Sequence, residues 1–244
     1  GKTMLITLDK ITFTWEDLIV NMKSKRAPGP EMLEAAERAY SEGIGLLDLK
    51  AAYEEFEVEG IEEETLILCR RGEEKREKLY IGPRISYLEP AEKAVIGICT
   101  AGTAIVEAME KYAAEEEYLL MYYVDAFAVK ALGELSELLR HRVEDIAKEK
   151  GWGVGPSMQP GAVTGWSVSG QSDLYRLAGG DTIGLRINSS HFLLPRISNS
   201  TIIGTGPGYK DMKVGSMCHE CVRRDTCLWR RENVLEVRHS KTLD

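Results

Sequence analysis

Residues 155–208 read GPSMQPGAVTGWSVSGQSDLYRLAGGDTIGLRINSSHFLLPRISNSTIIGTGPG. The stretch begins as a loop rich in Gly and Pro and continues into two segments in which apolar and polar residues alternate. Alternation with a period of two indicates strands, because successive side chains of a strand point to opposite faces. The order of loop and strands is marked by Pro160, Gly161, Trp166, Gln171, Pro195, Arg196, Ile203 and Gly204. We therefore expect a Pro-Gly turn followed by a strand pair that ends at Pro-Arg and Ile-Gly.

The composition is that of an ordinary globular protein, and it argues against two kinds of partner. The chain has 244 residues, of which 43% are hydrophobic, so it can form a substantial core. Its net charge of −8 repels a phosphate backbone, so we expect no nucleic-acid partner. No apolar run approaches the about 20 residues that a membrane-spanning helix needs. These features predict a cytoplasmic protein that does not engage a membrane.

Helical periodicity dominates the middle of the chain. Apolar residues recur at helical spacing in residues 103–114 and again in residues 118–150, which predicts two helices, the second of them long. Residues 31–41 are rich in Ala, Glu and Leu and predict a third helix. We expect this helix to end before Gly43, because glycine readily takes the left-handed conformation found at helix C-termini.

Shorter apolar runs indicate strands between these helices. Residues 65–69 and 94–99 predict buried strands, which would place Cys69 and Cys99 in the core as small apolar side chains. The Gly-rich residues 151–165 are predicted to end the long helix. Strands and helices mixed in this way indicate α+β packing.

Residues 155–208, which we call the signature stretch, resemble the reactivation domain of cobalamin-dependent methionine synthase. The match is closest to the stand-alone relatives of that domain. The long helical pattern around Asp125 and the Trp152-Gly153 segment also match in kind. The resemblance implies an α+β fold in which a twisted mixed or antiparallel sheet packs against long helices. It divides the chain into an N-terminal α+β segment, residues 1–90, that packs on the main domain; an activation-like core, residues 91–210; and a Cys-rich segment and tail, residues 211–244.

The family implies a function in corrinoid chemistry. Its domain binds S-adenosylmethionine and docks on a cobalamin-carrying domain, where an inactive corrinoid is reduced and methylated back to its active form. We therefore predict an accessory protein of a corrinoid-dependent methyltransferase system, whose partner is a corrinoid protein or a methyltransferase subunit. Whether the chain is itself an enzyme does not follow from the resemblance.

The family's ligand loop is only partly present. In the methionine synthase domain an Arg, three further residues and Gly-Tyr hold the carboxylate and backbone of S-adenosylmethionine. This chain has Ser157 at the place of the Arg, Gly161 at the Gly and Ala162 at the Tyr. A serine cannot replace the bidentate clamp that a guanidinium forms on a carboxylate.

Four residues are the candidates for cofactor binding. The resemblance places Glu137 near a helix carboxylate that the family uses on the ligand's amino group, although a solvated position on a helix face explains this residue equally well. Gly161, Trp166 and Gln171 could shape a pocket, with Gly allowing close approach of backbone and Trp offering a flat stacking face. The alternative is that these three residues form only a turn and its packing.

Three cysteines lie within ten residues near the C-terminus. Cys218, Cys221 and Cys227, with His219 among them or His239 further on as a fourth ligand, could bind zinc or an iron–sulfur cluster. Free, redox-active thiols and inert packing are the alternatives. The cluster gives a second functional hypothesis, a thiolate metal or iron–sulfur protein on the same fold without methyl-transfer activity.

A hydrolase triad is not predicted. His191 lies between the two strand patterns, and no Ser or Cys stands at a spacing that would pair it with this imidazole.

Overall fold

An open sheet of seven antiparallel strands forms the centre of the computed structural model, which describes residues 2–20 and 26–220. Six strands lie side by side in the order β4, β3, β2, β5, β9, β6, and β1 pairs with β2. The strands are β1 (Met4–Leu8), β2 (Leu49–Glu62), β3 (Thr65–Cys69), β4 (Arg76–Tyr80), β5 (Lys93–Thr100), β6 (Gly153–Met158) and β9 (Ser198–Gly206). A separate hairpin consists of the two-residue strands β7 (Arg186–Ile187) and β8 (Leu193–Leu194).

Strand β2 connects both halves of the sheet. One of its edges pairs with β1 through residues 49–53 and with β3 through residues 57–62. Its other edge pairs with β5 through residues 50–57. The backbone of β2 is therefore hydrogen-bonded along almost its whole length, which fixes three neighbouring strands in one register.

Three helices cover one face of the sheet: α2 (Pro30–Ile44), α3 (Thr103–Ala114) and α4 (Tyr118–Glu149). Helix α4 lies close to β5 because Gly97 has no side chain. A Cβ atom at Gly97 would lie 2.5 Å from Cδ2 of Leu139, so a larger residue would push the helix away from the sheet. A four-residue helix, α1 (Asp17–Val20), precedes this layer.

The opposite face is covered by helix α5 (Gly170–Ala178) and the loops around it. Val95 and Ile96, which are neighbours on β5, belong to the two different core clusters, one on each face. The sheet is therefore apolar on both sides, as expected for a sheet enclosed between two layers.

The structure confirms the predicted α+β class, and the sheet is antiparallel rather than mixed. The two helices predicted for the middle of the chain are α3 and α4, and Cys69 and Cys99 are buried on β3 and β5 as expected. The division of the chain into segments at residues 90 and 210 stays a prediction. The central sheet contains strands from before and after residue 90. No helix within residues 2–20 and 26–220 is long and apolar enough to cross a membrane.

One local prediction was wrong, and one strand was missed. Gly43 does not end its helix: α2 continues to Ile44, and Gly45 at its end has a right-handed φ of −74°. Gly43 instead makes room for another helix, since a Cβ atom there would lie 2.5 Å from the Phe127 ring. The Gly-rich residues 151–165 also contain strand β6, which was not predicted because it has little side-chain alternation.

A carboxylate joins the helices on the first face. The Tyr112 hydroxyl of α3 donates a short hydrogen bond to Glu42 Oε2 of α2. Arg38 Nε donates to Glu42 Oε1 at 2.8 Å, and Arg38 Nη1 to Glu117 Oε1 at 3.1 Å. The pKa of Glu42 is lowered mainly by the hydrogen bond from Tyr112, and Arg38 lowers it further.

We predict that this contact makes stability depend on acid pH. A lowered pKa in the folded state stabilises the protein above the unfolded value of 4.5, and this contribution is lost as the pH falls through the folded value. Tyr112→Phe should therefore lower the free energy of unfolding at neutral pH and flatten its decline in acid, as measured by urea titration between about pH 3 and pH 7. Glu110→Gln, an exposed position of the same helix, is the control. If the free energy of unfolding falls as steeply in acid for Tyr112→Phe as for wild type, the Tyr112–Glu42 contact is not the cause of this pH dependence.

Candidate functional site

Ser157, at the place of the family's ligand-binding Arg, lies inside the protein. It belongs to β6 and is buried, and its Oγ lies 2.6 Å from Oγ1 of Thr201 on β9. Its amide donates to the carbonyl of Gly215, so the outer edge of β6 is also covered. The side chain at this position therefore links two strands and does not face a ligand.

Trp166 is a core residue. It is 2% exposed and packs with the apolar cluster below α5, so neither ring face is open to a ligand. Gly161, in a left-handed conformation with φ 81°, donates its amide to the Trp166 carbonyl at 2.8 Å. The structure favours the interpretation of Gly161 and Trp166 as a turn and its packing.

The Trp166 side chain also explains a glycine. A Cβ atom at Gly170 would lie 2.3 Å from Nε1 of Trp166, so the first residue of α5 must lack a side chain. Within the described residues, Nε1 is buried and has no hydrogen-bond acceptor. The contact between Trp166 and Gly170 is therefore steric. It sets how closely α5 approaches the loop that carries Trp166.

Gln171, the next residue of α5, precedes a polar pair that the sequence analysis missed. Ser172 Oγ lies 2.6 Å from Nδ1 of His191. His191 thus has a serine partner, contrary to the expectation from spacing, because the chain folds the β7–β8 hairpin back onto α5. The two residues are 19 positions apart in the chain, a separation that could not be interpreted without that topology.

The turn that presents His191 is tightly held. The Oδ1 atom of Asn188 accepts hydrogen bonds from the amides of Ser190 and Phe192, each at 3.0 Å. His191 itself has φ 65°, a left-handed conformation that is uncommon for residues other than glycine. Phe192 follows with 53% of its surface exposed.

Charged side chains extend from this pair across the edge of the sheet. Arg176 Nη1 of α5 donates to Glu77 Oε2 at 3.1 Å, and its Nη2 lies 4.0 Å from Asp173 Oδ1. Arg70 Nε donates to the buried Glu54 at 2.8 Å. Glu77 and Glu54 are largely removed from water, and there such contacts are stronger than at an exposed surface.

Asp173 lies between this network and the histidine. Partial burial raises the pKa of the Asp173 carboxyl, and Glu77 adds to the rise. Arg176 and His191 oppose it by favouring the charged carboxylate. Asp173 is therefore close enough to His191 for the two side chains to interact electrostatically.

Glu137 lies on the other side of the sheet, in a cleft between α4 and the segment after β1. The cleft has a volume of about 600 Å³. We call it the Glu137 cleft and define it by its lining residues, which are Thr12, Phe13, Asp17, Val129, Lys130, Gly133, Glu134, Glu137 and Arg140. The four predicted cofactor residues therefore do not meet in one site, since Trp166 and Gln171 belong to the α5 side.

The cleft holds charges of both signs. Arg140 Nη1 donates to Glu137 Oε2 at 2.9 Å, and the Arg140 side chain is only 15% exposed. The Thr12 amide donates to both oxygens of Glu134, at 3.1 and 2.9 Å, which ties the segment after β1 to the helix. Lys130 lies with its Nζ 5.5 Å from the centre of the Phe13 ring.

Only part of the predicted metal centre can be located. Cys218 and His219 lie in a short 3₁₀ helix, Cys218–Glu220, and the Cys218 amide donates to Ser216 Oγ at 3.1 Å. Cys221 and Cys227 lie outside the described residues, as does His239. Within residues 2–20 and 26–220 no three His, Cys, Asp or Glu side chains are grouped as metal ligands.

Comparison with known proteins agrees with the geometry at the level of fold. No family model matches the chain, and no curated protein matches it significantly. The fold belongs to the class of α+β domains with an open, mostly antiparallel sheet and helices packed on it. A crystal structure of the MetH reactivation domain bound to AdoHcy shares this fold with a TM-score of 0.59 at 13% identity, over 90% of this chain and 83% of that one.

We predict that the Trp166–Gly170 contact limits stability. Gly170→Ala introduces a methyl group where the indole already stands, so we expect a loss of about 1–3 kcal/mol in the free energy of unfolding, despite the better helix propensity of alanine. Urea unfolding of the variant measures this loss. Gly133→Ala is the control, because a Cβ atom there meets no atom of the described part of the chain within 4 Å; this variant should be more stable than wild type. Equal effects at the two positions would contradict the packing described for Trp166.

Proposed function

We propose that this chain is an accessory protein of a corrinoid-dependent methyl-transfer system and binds S-adenosylmethionine or its demethylated product. The observation that supports this most is the shared fold, which extends over 90% of the chain and whose solved example is a reactivation domain bound to AdoHcy. The signature stretch at residues 155–208 agrees with the same family. The partner in this proposal is a corrinoid protein or a methyltransferase subunit.

In this proposal the ligand binds in the Glu137 cleft. Its volume of about 600 Å³ lies within the range of about 300–1,000 Å³ typical of small-molecule sites. An S-adenosyl ligand carries an ammonium group and a carboxylate at one end. Carboxylates of Glu137 and Asp17 can accept hydrogen bonds from the ammonium group, and the Arg140 guanidinium can donate to the carboxylate.

Arg140 would supply the guanidinium that Ser157 does not. The family's guanidinium stands four positions before the Gly of Gly-Tyr, but here that position is Ser157, which is buried between strands. In this proposal the guanidinium comes from α4, three residues after Glu137 on the same helix. Glu137 holds Arg140 in place at 2.9 Å, and a ligand carboxylate would share that guanidinium.

Helix backbone without a side chain lines the cleft at Gly133. Gly133 lies in the middle of α4 and is exposed, and a Cβ atom there would meet no atom of residues 2–20 and 26–220 within 4 Å. A glycine costs a helix about 1 kcal/mol relative to alanine, and no packing contact among the described residues requires it here. A bound molecule that needs this space would explain why residue 133 is a glycine.

The contribution of this chain to methyl transfer would be orientation. A corrinoid on the partner supplies the cobalt chemistry, and the methyl group comes from the sulfonium of S-adenosylmethionine. The cleft residues bind and orient the donor, so that the reacting groups meet with little loss of entropy in the transition state. No covalent intermediate on this chain is needed.

We predict that filling the cleft prevents binding. Isothermal titration of the full chain with AdoHcy should give saturable binding, and Gly133→Leu should weaken it at least about tenfold, which corresponds to about 1.4 kcal/mol. Leucine is a good helix former, so α4 should remain intact. Asp145→Leu, at another exposed position of α4, is the matched control and should bind as wild type does. Wild-type affinity in Gly133→Leu would place the ligand elsewhere, and no binding to wild type would remove the proposal.

A second candidate function rests on the cysteines. Cys218 lies directly after the segment that pairs with β6, so a metal bound by Cys218, Cys221, Cys227 and His219 would attach the C-terminal segment to the sheet edge. Thiolates favour zinc or an iron–sulfur cluster. This centre could serve an electron-transfer or structural role without methyl transfer.

We predict stoichiometric zinc, or iron with acid-labile sulfide, in protein purified without oxygen. Replacing Cys218, Cys221 and Cys227 together by alanine should remove the metal, as measured by elemental analysis, while the circular dichroism of the sheet remains. Cys69→Ala, which removes a buried thiol on β3, is the control and should retain the metal. Wild-type protein without metal would eliminate this second function.

A further inference from the structure

The pair Ser172 and His191 has the geometry of a nucleophile and its base. The Oγ to Nδ1 distance of 2.6 Å is that of a strong hydrogen bond. In the Nε2–H tautomer Nδ1 is the acceptor, so the serine hydroxyl donates to it and can pass its proton along the same bond. We propose that Ser172 is a nucleophile activated by His191 and accepts acyl groups from activated esters.

The backbone holds this pair in an unfavourable conformation. His191 has φ 65°, a left-handed conformation that is uncommon for residues other than glycine. The two hydrogen bonds to Asn188 keep the turn closed in this conformation. This turn places the imidazole within hydrogen-bonding distance of the Ser172 hydroxyl.

The surroundings indicate a neutral, partly apolar substrate. Phe192, beside the histidine, is 53% exposed and offers an aromatic surface to the acyl or aryl group of an ester. Asp173, the neighbour of Ser172 on α5, interacts with His191 and would repel an anionic substrate. Arg176 already contacts Glu77 and Asp173.

The reaction follows from these two side chains. Ser172 Oγ attacks the ester carbonyl carbon while its proton moves to His191 Nδ1. The tetrahedral intermediate then breaks the carbon–oxygen bond to the leaving group, which takes that proton from the imidazolium. The product is an acyl ester on Ser172 and a free alcohol. Water, deprotonated by the neutral His191, can hydrolyse the acyl ester and return both residues to their starting state.

The test uses p-nitrophenyl acetate with the full chain. We expect release of p-nitrophenol and an acetyl group on Ser172, located by peptide mass spectrometry. Ser172→Ala should abolish this label. His191→Asn should slow acylation by about 10²-fold or more, the usual contribution of a general base. Asparagine tolerates the left-handed conformation, so the turn should be preserved. Ser190→Ala, an exposed serine of the same turn, is the control and should acylate Ser172 at the wild-type rate.

Three results would each overturn the proposal: no acetyl group on Ser172 of the wild type, a label that reaches Ser190 as readily as Ser172, or acylation at the wild-type rate in His191→Asn. None of these measurements involves the S-adenosyl ligand, so the outcome is independent of the proposed function.

Discussion

The hydrogen-bonding of strand β2 is the constraint on which the rest of the structure depends. Its antiparallel pairing with β5 along one edge, and with β1 and β3 along the other, joins strands from residue 4 to residue 100. Because side chains alternate along a strand, this one register also decides what faces each layer. Tyr53 points to the layer of α4, and Phe56 points to the layer of α5. A shift by one residue would exchange the two cores.

The two layers separate the chemistry of the molecule. On one side, the long helix α4 forms a cleft with charged residues of both signs and an open backbone at Gly133. On the other side, α5 brings a serine against a histidine in a strained turn. The sheet between them is apolar on both faces, so neither group reaches the other. An S-adenosyl ligand and an acyl ester would therefore bind at different surfaces of the chain.

The sequence predicted those features that follow from local pattern. The helices α3 and α4, the buried strands with Cys69 and Cys99, and the α+β class all rest on periodicity that the fold preserves. The prediction of a helix end failed at Gly43, which had been interpreted as a residue that takes a left-handed backbone conformation. Gly43 was expected to end a helix, yet it lies inside one, because the Phe127 ring of another helix needs the space.

The candidate sites could be predicted less well, since they depend on contacts between distant segments. Trp166 looked like a stacking surface, but the packing of α5 buries it. The Ser172–His191 pair could not be found from spacing, because the hairpin that joins its members has two-residue strands with little pattern. Glu137 could be named from the resemblance, whereas its partner Arg140 became visible only in the cleft.

The most direct test of the central claim, that the Glu137 cleft binds an S-adenosyl ligand, is a crystal structure of the full chain grown with AdoHcy. The account predicts electron density for the ligand in the Glu137 cleft, with its amino group near Glu137 and its carboxylate near Arg140. Density on the α5 side of the sheet, or a cleft filled only by water at saturating AdoHcy, would contradict it.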